Sequence, residues 1–431
     1  MTDEDVKLTK KQNEAFSLIT AGKNVFITGP SGTGKSLVIK LFRKLYGREK
    51  TIAITSTTGI SALLLGGTTL HSYLGIGLGT GSVEALTAKI LKIPYLRERW
   101  KRLDVLIIDE ISMLSPELFD KIEAIGRAVR SKGRLLAKDE QKPFGGIQLV
   151  LSGDFLQLPV VKSDDFCFEA ESWNKCVDHT VYLSKIIRQE DKEFQTVLND
   201  LRYGNVTKRA KKLLMTRVGV ELKNDLGIKP TVIHTTNAAV DEINEEELDK
   251  LVEADPELEF FQYNMEIYLY EFVKNREYVI DKYRKSCIAP DVLQLCVGAQ
   301  VMLLCNLDLD AGLANGSRGV ITNFIEERPV VRFLNGLERV IDYNVWEVEQ
   351  DDKKLMKMTQ IPLKVAYAIT THKSQGCTLD YAEVDLSNVF TWGIVYVALS
   401  RVKTLQGLSI LSIDFESVQA HPKAIEFYKK L

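Results

Sequence analysis

The sequence predicts an α/β fold built on parallel sheets, and three observations carry that prediction. Short apolar runs such as Val105–Asp109 do not alternate with polar residues, as expected of strands covered on both faces. Helix-like stretches with apolar residues three and four apart separate them. One such run, Asn24–Thr28, leads straight into Gly29-Pro30-Ser31-Gly32-Thr33-Gly34-Lys35-Ser36, a glycine-rich turn ending in Lys-Ser where a helix begins.

In the first half the candidate strands are Asn24–Thr28, Thr51–Thr55, Asp104–Asp109, Ile147–Ser152 and Val181–Leu183. A helix is expected from Ser115-Pro116, with Ser as cap and Pro at the first helical position. Its apolar face is read as Leu118, Ile122, Ile125 and Val129. The second half repeats the theme more loosely, with candidate strands Thr231–Thr235, Val297–Leu303, Ala366–Thr371, Ala382–Asp385 and Leu408–Leu411. Residues 246–295 are charged and aromatic and read as helical with long loops. Between Leu313 and Ile361, Gly316, Gly319 and Gly336 punctuate short runs, the texture of a small β-rich insertion.

A chain of 431 residues exceeds one ordinary core and predicts two or three domains. Its formal charge of −2 gives no global basic signal, so a nucleic-acid site would have to be a local groove. Basic clusters occur at Arg97, Arg99, Lys101 and Arg102, and at Arg202, Lys208, Arg209, Lys211, Lys212 and Arg217; each reads equally well as a solvated helix face. The six cysteines form no CxxC pair, which argues against zinc and for a reducing compartment. The five histidines show no metal-ligand spacing. No apolar stretch approaches the ~20 residues that span a bilayer, and no leader segment is visible.

The glycine-rich loop points to a nucleoside triphosphate. Backbone N–H groups at a helix start form a cup for phosphate, with Lys35 reaching the terminal phosphates and Ser36 able to hold Mg²⁺. Val105–Glu110 is an apolar strand ending in two carboxylates. Asp109 is placed to hold Mg²⁺ through water and Glu110 to polarise an attacking water. In Gly153–Pro159 the amide of Gln157 can sense a γ-phosphate, although a Gly-Asp turn closed by Pro also explains the segment. Thr9 and Gln12 form a capping box, which competes with a role for Gln12 on the adenine edge. Arg188 and Arg401 each lie near a strand–helix junction beyond the first domain, either as charge-stabilising groups or as surface residues.

In this order, these segments resemble superfamily 1 DNA helicases, and more narrowly the Pif (petite integration frequency) family of 5′→3′ enzymes related to RecD-type helicases. The resemblance runs from about Leu8 to the C-terminus. It is carried by Gly29–Ser36, Thr55–Ala62, Gly66–His71, Asp109–Met113, Gly153–Pro159, Arg188-Gln189, Thr236-Asn237, Gly298–Met302, Asn315–Gly319, His372–Gly376 and Tyr396–Arg401. The stretch from Asp120 through Arg130 to Pro143–Gln148 resembles the family's signature. Two departures occur: Pro159-Val160 stands where the family has Pro-Pro, and Gly393-Ile394-Val395 precedes Tyr396 where it has Gly-Gln.

The resemblance implies two RecA-like P-loop lobes, with a small wedge insertion in the first and a β-rich SH3-like insertion in the second. Expected boundaries are 1–72 and 100–185 for lobe 1A, 73–99 for wedge 1B, 186–245, 296–310 and 362–431 for lobe 2A, and 246–295 and 311–361 for 2B. ATP and Mg²⁺ are the implied cofactors. Gln12 would read adenine; Gly29, Ser31, Gly32, Thr33, Gly34, Lys35 and Ser36, with Gln375 and Gly376, would bind nucleotide. Ser36 and Asp109 would serve Mg²⁺, Glu110 would be the base, Gln157 the γ-phosphate sensor, and Arg188 and Arg401 arginine fingers from the second lobe. Strand contacts would come from Thr58, His71, Phe155, Thr235, Asn237, His372, Lys373 and Ser374. The implied partner is single-stranded, forked or structured DNA, bound by a monomer away from membranes, in genome maintenance. Phe144–Gln148 and Phe166–Phe168 look closer to eukaryotic members, which implies nucleus or mitochondrion, or cytoplasm for a bacterial or viral chain. A conformational switch that hydrolyses ATP without unwinding, and a P-loop ATPase unrelated to nucleic acid, are the competing readings.

Overall fold

The computed structural model describes residues 7–431 except 78, 132–141, 161–162, 223–227, 272, 274, 285–286, 288, 306, 309–310, 314–315 and 351–352. The middle of the family-signature stretch and Asn315 therefore lie outside the described residues. The chain forms two compact units. One comprises the described residues up to Ala210 together with Phe390–Ser400 and Glu416–Leu431; the other comprises Lys211–Val389 and Arg401–Phe415.

The first unit holds a six-stranded, all-parallel sheet of β1 (Val25–Thr28), β2 (Ile52–Ser56), β3 (Thr68–Thr69), β4 (Val105–Asp109), β5 (Gln148–Gly153) and β6 (His179–Tyr182). Their spatial order is β3-β2-β4-β5-β1-β6. Alternate residues of one strand enter opposite cores. Val25 and Ile27 join Val105, Ile107, Val150 and Val181 under the helices Lys10–Thr20 and Lys35–Tyr46. Phe26 joins Leu106, Ile108, Leu149 and Leu151 against Phe119, Ile122, Ile125 and Val129 of the helix Pro116–Arg130. Both faces are apolar, so the strands show no alternation in sequence. Ser115 caps that helix by accepting the Leu118 N–H, with Pro116 at its start, as expected. The expected wedge region is two helices, Val83–Lys92 and Pro94–Arg102, whose Leu86, Ile90, Leu96 and Trp100 share this same core.

The second unit contains a four-stranded parallel sheet of Ala368–Thr370, Thr231–His234, Ala382–Leu386 and Leu408–Ile413, in that order. It also holds antiparallel sheets of two, three and five strands. Two expectations are corrected here. Gln300–Leu303 belongs to the five-stranded antiparallel sheet, pairing with Arg318–Ile325 and Leu363–Val365. All four of its residues are buried, so its pattern matches that of a parallel strand. Among the described residues of 246–295, helix is confined to the end of Asn237–Ala254 and to Arg276–Arg284, while Phe261–Asn264, Glu266–Leu269 and Val292–Leu295 are strands. Burial alternates along these strands, the period-2 signal that sequence reading overlooked.

The compact units also cut the chain differently from the expected lobes. Residues 186–210, 390–400 and 416–431 pack with the first unit. The helix Lys192–Arg202 buries Phe194, Val197, Leu198 and Leu201, and Ala420, Ala424 and Tyr428 enter the core around Phe119.

Candidate nucleotide site

The phosphate-type loop leaves the C-terminal end of β1. Gly32 has φ +76°, and a Cβ there would lie 2.5 Å from the Arg188 Cβ. Gly29 has φ +137°, with the Leu183 carbonyl oxygen 2.2 Å from any Cβ. Only glycine lets the backbone pass at these points. The Ile187 and Arg188 N–H groups donate to the Gly32 carbonyl at 2.8 and 3.2 Å and fix the loop's outer wall. The helix Lys35–Tyr46 starts at Gly34, which brings no side-chain cap, so the first-turn N–H groups remain an anion-facing cup. Lys35 lies back along the loop, donating to the carbonyls of Gly29 (2.7 Å) and Pro30 (3.0 Å). Burial pushes its amine below the ordinary lysine value, against the pull of the Asp154, Glu110 and Asp109 carboxylates. Ser36 is exposed.

Gln12 closes the capping box and also reaches the phosphate loop. Its Oε1 accepts the Thr9 N–H at 2.8 Å, closing the capping box, and its Nε2 donates to the Thr33 carbonyl at 3.0 Å.

β2 and β4 are parallel neighbours. Asp109, at the end of β4, is buried, and one carboxylate oxygen accepts the Ser61 hydroxyl at 2.8 Å. The other has no hydrogen-bond partner among the described residues. Glu110 follows with φ 53°, a left-handed conformation costly for a non-glycine residue and frequent at functional sites. Among the described residues no group of three or more His, Cys, Asp or Glu side chains could hold a metal. A cation here would rest on the Ser36 hydroxyl, the Asp109 carboxylate, phosphate and water, a hard-oxygen set of the kind Mg²⁺ takes.

The loop after β5 is organised by Asp154. This fully buried carboxylate accepts from Arg202 Nε (2.9 Å) and Nη2 (2.7 Å), from the Leu156 N–H (3.2 Å) and from Gln157 Nε2 (3.4 Å). Burial alone would raise its pKa; the Arg202 guanidinium, with Lys35, holds it below the usual carboxylate range. Arg202 is itself fully buried against the Tyr182, Tyr203 and Tyr428 rings. Phe155 is corrected from a strand contact to a core residue. It is 1% exposed and packs on Phe26, Phe166, Phe168, Trp173 and Phe427.

Arg188 belongs to the same compact unit as the loop and is not supplied from another lobe. Its Nη1 donates to the Ser31 hydroxyl (2.6 Å) and the Ser400 carbonyl (3.2 Å), and Gln189 Nε2 donates to that carbonyl at 3.1 Å. The Ser31 N–H donates to the Tyr396 hydroxyl oxygen at 2.8 Å. Thr58 and His71, both half-buried, follow β2 and β3, parallel neighbours, and so share one sheet edge. Burial lowers the His71 pKa.

In the second unit, Thr235, Asn237 and His372–Gly376 follow the adjacent parallel strands Thr231–His234 and Ala368–Thr370, again at one sheet edge. Asn237, Lys373 and Gly376 are exposed, His372 is half-buried, and burial lowers the His372 pKa. Gln375 is buried, 5% exposed. Thr235 and Ser374 face inward instead: the Thr235 hydroxyl is buried without a partner among the described residues, and that of Ser374 returns to the Thr371 carbonyl at 2.8 Å. Arg401 is buried, and its carbonyl accepts the Leu379 N–H at 3.0 Å.

Sequence reading missed Ser61, Asp154, Arg202, Tyr396, Ser400 and Tyr428. Asp154 and Tyr396 lay inside motifs already singled out, and Arg202 was hidden in a basic cluster. Nothing local marks Tyr428.

A glycine-rich loop on a parallel sheet, with a buried Asp-Gln loop after the adjacent strand and paired carboxylates ending the strand beyond it, defines a P-loop nucleotide-hydrolysing enzyme. The family model for PIF1-like helicases matches residues 7–212, and that for the 2B domain of the Pif1 DNA helicase matches residues 281–324. The ATP-dependent DNA helicase PIF1 of Xenopus laevis is 39% identical over 99% of this chain, which spans 65% of the frog protein's length. The Pif1 helicase of Candida albicans is 34% identical, with a TM-score of 0.81 and 99% of each chain covered. Bacteroides Pif1, solved with ADP-AlF3 and single-stranded DNA, is 30% identical, with a TM-score of 0.67 and 99% and 97% of the two chains covered. The chain belongs to the PIF1-like helicase family. Its two parallel sheets are the RecA-like lobes expected of that family, with the antiparallel strands as the β-rich insertion.

Proposed function

We propose that this chain is an ATP-driven DNA helicase that moves 5′→3′ on single-stranded DNA and opens forked or structured duplexes. The observation that carries the reading is the convergence of the Gly29–Ser36 loop, Asp109, Glu110, the Gln157 loop and Arg188 at one sheet edge of one unit. Lys35 would exchange its Gly29 and Pro30 carbonyls for the terminal phosphates, and Arg188 its Ser31 hydroxyl for the same charge. Glu110 orients the attacking water, and Gln157 registers loss of the γ-phosphate. Arg401 would be the second arginine finger. The second amide hydrogen of Gln12 is the group for an adenine edge, and Gln375 and Gly376 complete the nucleotide set. Ser36 and Asp109 would hold Mg²⁺, which supplies charge neutralisation on the phosphates.

Thr58, His71, Asn237, His372 and Lys373 supply the strand contacts, and 73–99 the wedge. Neutral imidazoles, favoured by burial, suit hydrogen bonding to sugar or base rather than phosphate pairing. Separating one base-pair step costs ~1.4 kcal/mol of stacking, a load for one nucleotide cycle. The protein would act as a monomer wherever DNA is maintained: nucleus, mitochondrion or a viral or bacterial cytoplasm. Among the described residues no helix is long and apolar enough to cross a membrane.

The test is ATP turnover with and without single-stranded DNA, then unwinding of 5′-tailed and 3′-tailed forks. DNA-stimulated turnover lost in Lys35→Ala, with opening of 5′-tailed forks only, is the expected result. Turnover without opening would indicate a switch, and turnover indifferent to DNA would end the helicase reading.

A further inference from the structure

Two loops of the nucleotide unit must stay in register: the phosphate loop beginning at Gly29 and the Asp154–Gln157 loop. They leave adjacent parallel strands, with Thr28 opposite Gly153. Tyr428, on the helix Pro422–Lys429, spans the two. Its phenol oxygen accepts the Phe155 N–H at 3.1 Å and hydrogen-bonds the Thr28 hydroxyl, 400 positions away. Its ring lies 4.7 Å from the Arg202 guanidinium carbon, and Arg202 grips Asp154 at two points. Asp154 in turn receives Leu156 N–H and the Gln157 amide. The path Thr28–Tyr428–Arg202–Asp154–Gln157 is buried throughout.

Hydrophobic burial does not account for a phenol here. The neighbouring Phe427 fills the aromatic cluster with Phe26, Phe155 and Phe168 with no polar atom. A buried hydroxyl is retained where its hydrogen bonds are met, and a satisfied polar network rigidifies what it joins. We propose that Tyr428 is a positioning residue for γ-phosphate sensing. It locks the Gln157 loop to the phosphate loop, so that both respond together when the γ-phosphate is cleaved. The inference rests on the reading of Gln157 as the sensor.

The test uses the full chain with a single-stranded oligonucleotide and Mg²⁺, and compares affinity for ADP with affinity for ADP plus aluminium fluoride. In Tyr428→Phe, ADP should bind within about twofold of wild type, and ADP with fluoroaluminate about tenfold more weakly, the size of one net hydrogen bond. Thr28→Val, which removes the other end of the bridge, should do the same and serves alone if Tyr428→Phe does not fold. A merely structural tyrosine would lower the melting temperature and leave the ratio of the two affinities untouched. That ratio unchanged in the folded variants, or both affinities falling together, overturns the proposal provided Gln157→Ala loses the ratio. If Gln157→Ala keeps it, the sensor reading fails and this inference falls with it.

Discussion

Gln12 and Thr33, 21 positions apart, are joined by a 3.0 Å hydrogen bond from the Gln12 amide nitrogen to the Thr33 carbonyl. The same side chain closes the cap of the helix Lys10–Thr20. Helix start and phosphate loop are thereby one construction. Gln12→Glu keeps a cap acceptor but sets a buried carboxylate oxygen against the Thr33 carbonyl, so it should lower nucleotide affinity and cost more stability than the alanine variant. Gln12→Ala should lose both, with about 1–2 kcal/mol of stability. Urea unfolding beside nucleotide titration separates the two variants.

Glu110 sits in a strained left-handed conformation immediately after Asp109. Glu110→Gln preserves shape and removes the charge that orients water. Turnover should fall by about 10²–10³-fold while ATP still binds, measured by single-turnover hydrolysis and equilibrium binding. Equal loss of both would remove Glu110 from the chemistry.

Asp154 and Arg202 pair with no exposed side-chain surface. Because the Asp154 pKa is depressed in the folded state, the pair contributes stability that is present above the unfolded carboxylate value of ~3.9 and lost as pH falls through the lower folded value. Asp154→Asn should therefore flatten the acid limb of a stability–pH curve. At neutral pH it should cost about 3–5 kcal/mol, since Arg202 is left buried and unpaired. An unchanged slope below pH ~4 would contradict the assignment.

Phe155 packs inside the first unit, so Phe155→Ala should cost about 3–5 kcal/mol of stability. The fraction that remains folded should bind single-stranded DNA with wild-type affinity. His71→Ala and Lys373→Ala should show the reverse: near-native melting with weaker DNA binding, read by fluorescence anisotropy.

The parallel sheet around β1 was legible because strands apolar on both faces and a glycine turn leave strong local signals. Gln300–Leu303 was misassigned because full burial erases the difference between parallel and antiparallel strands. Phe155 was misplaced because its motif marks a loop and says nothing of the direction its ring takes. Arg202 read as one more basic residue, since its meaning depends on Asp154, 48 positions away. Tyr428 was illegible for the same reason, carried further: its partners lie at Thr28 and Phe155, and no local pattern encodes a contact of that span.

The return of Glu416–Leu431 to the first unit bears on how the polypeptide is made. Ala420, Ala424 and Tyr428 complete a core begun by Phe26. At ~5–20 residues per second, the ribosome needs roughly 10–40 s between Ala210 and Glu416. Throughout that interval the nascent nucleotide unit stands with an unfilled seam of aromatic surface, a natural station for chaperones, and any nonsense codon upstream of Pro422 would leave it permanently ajar.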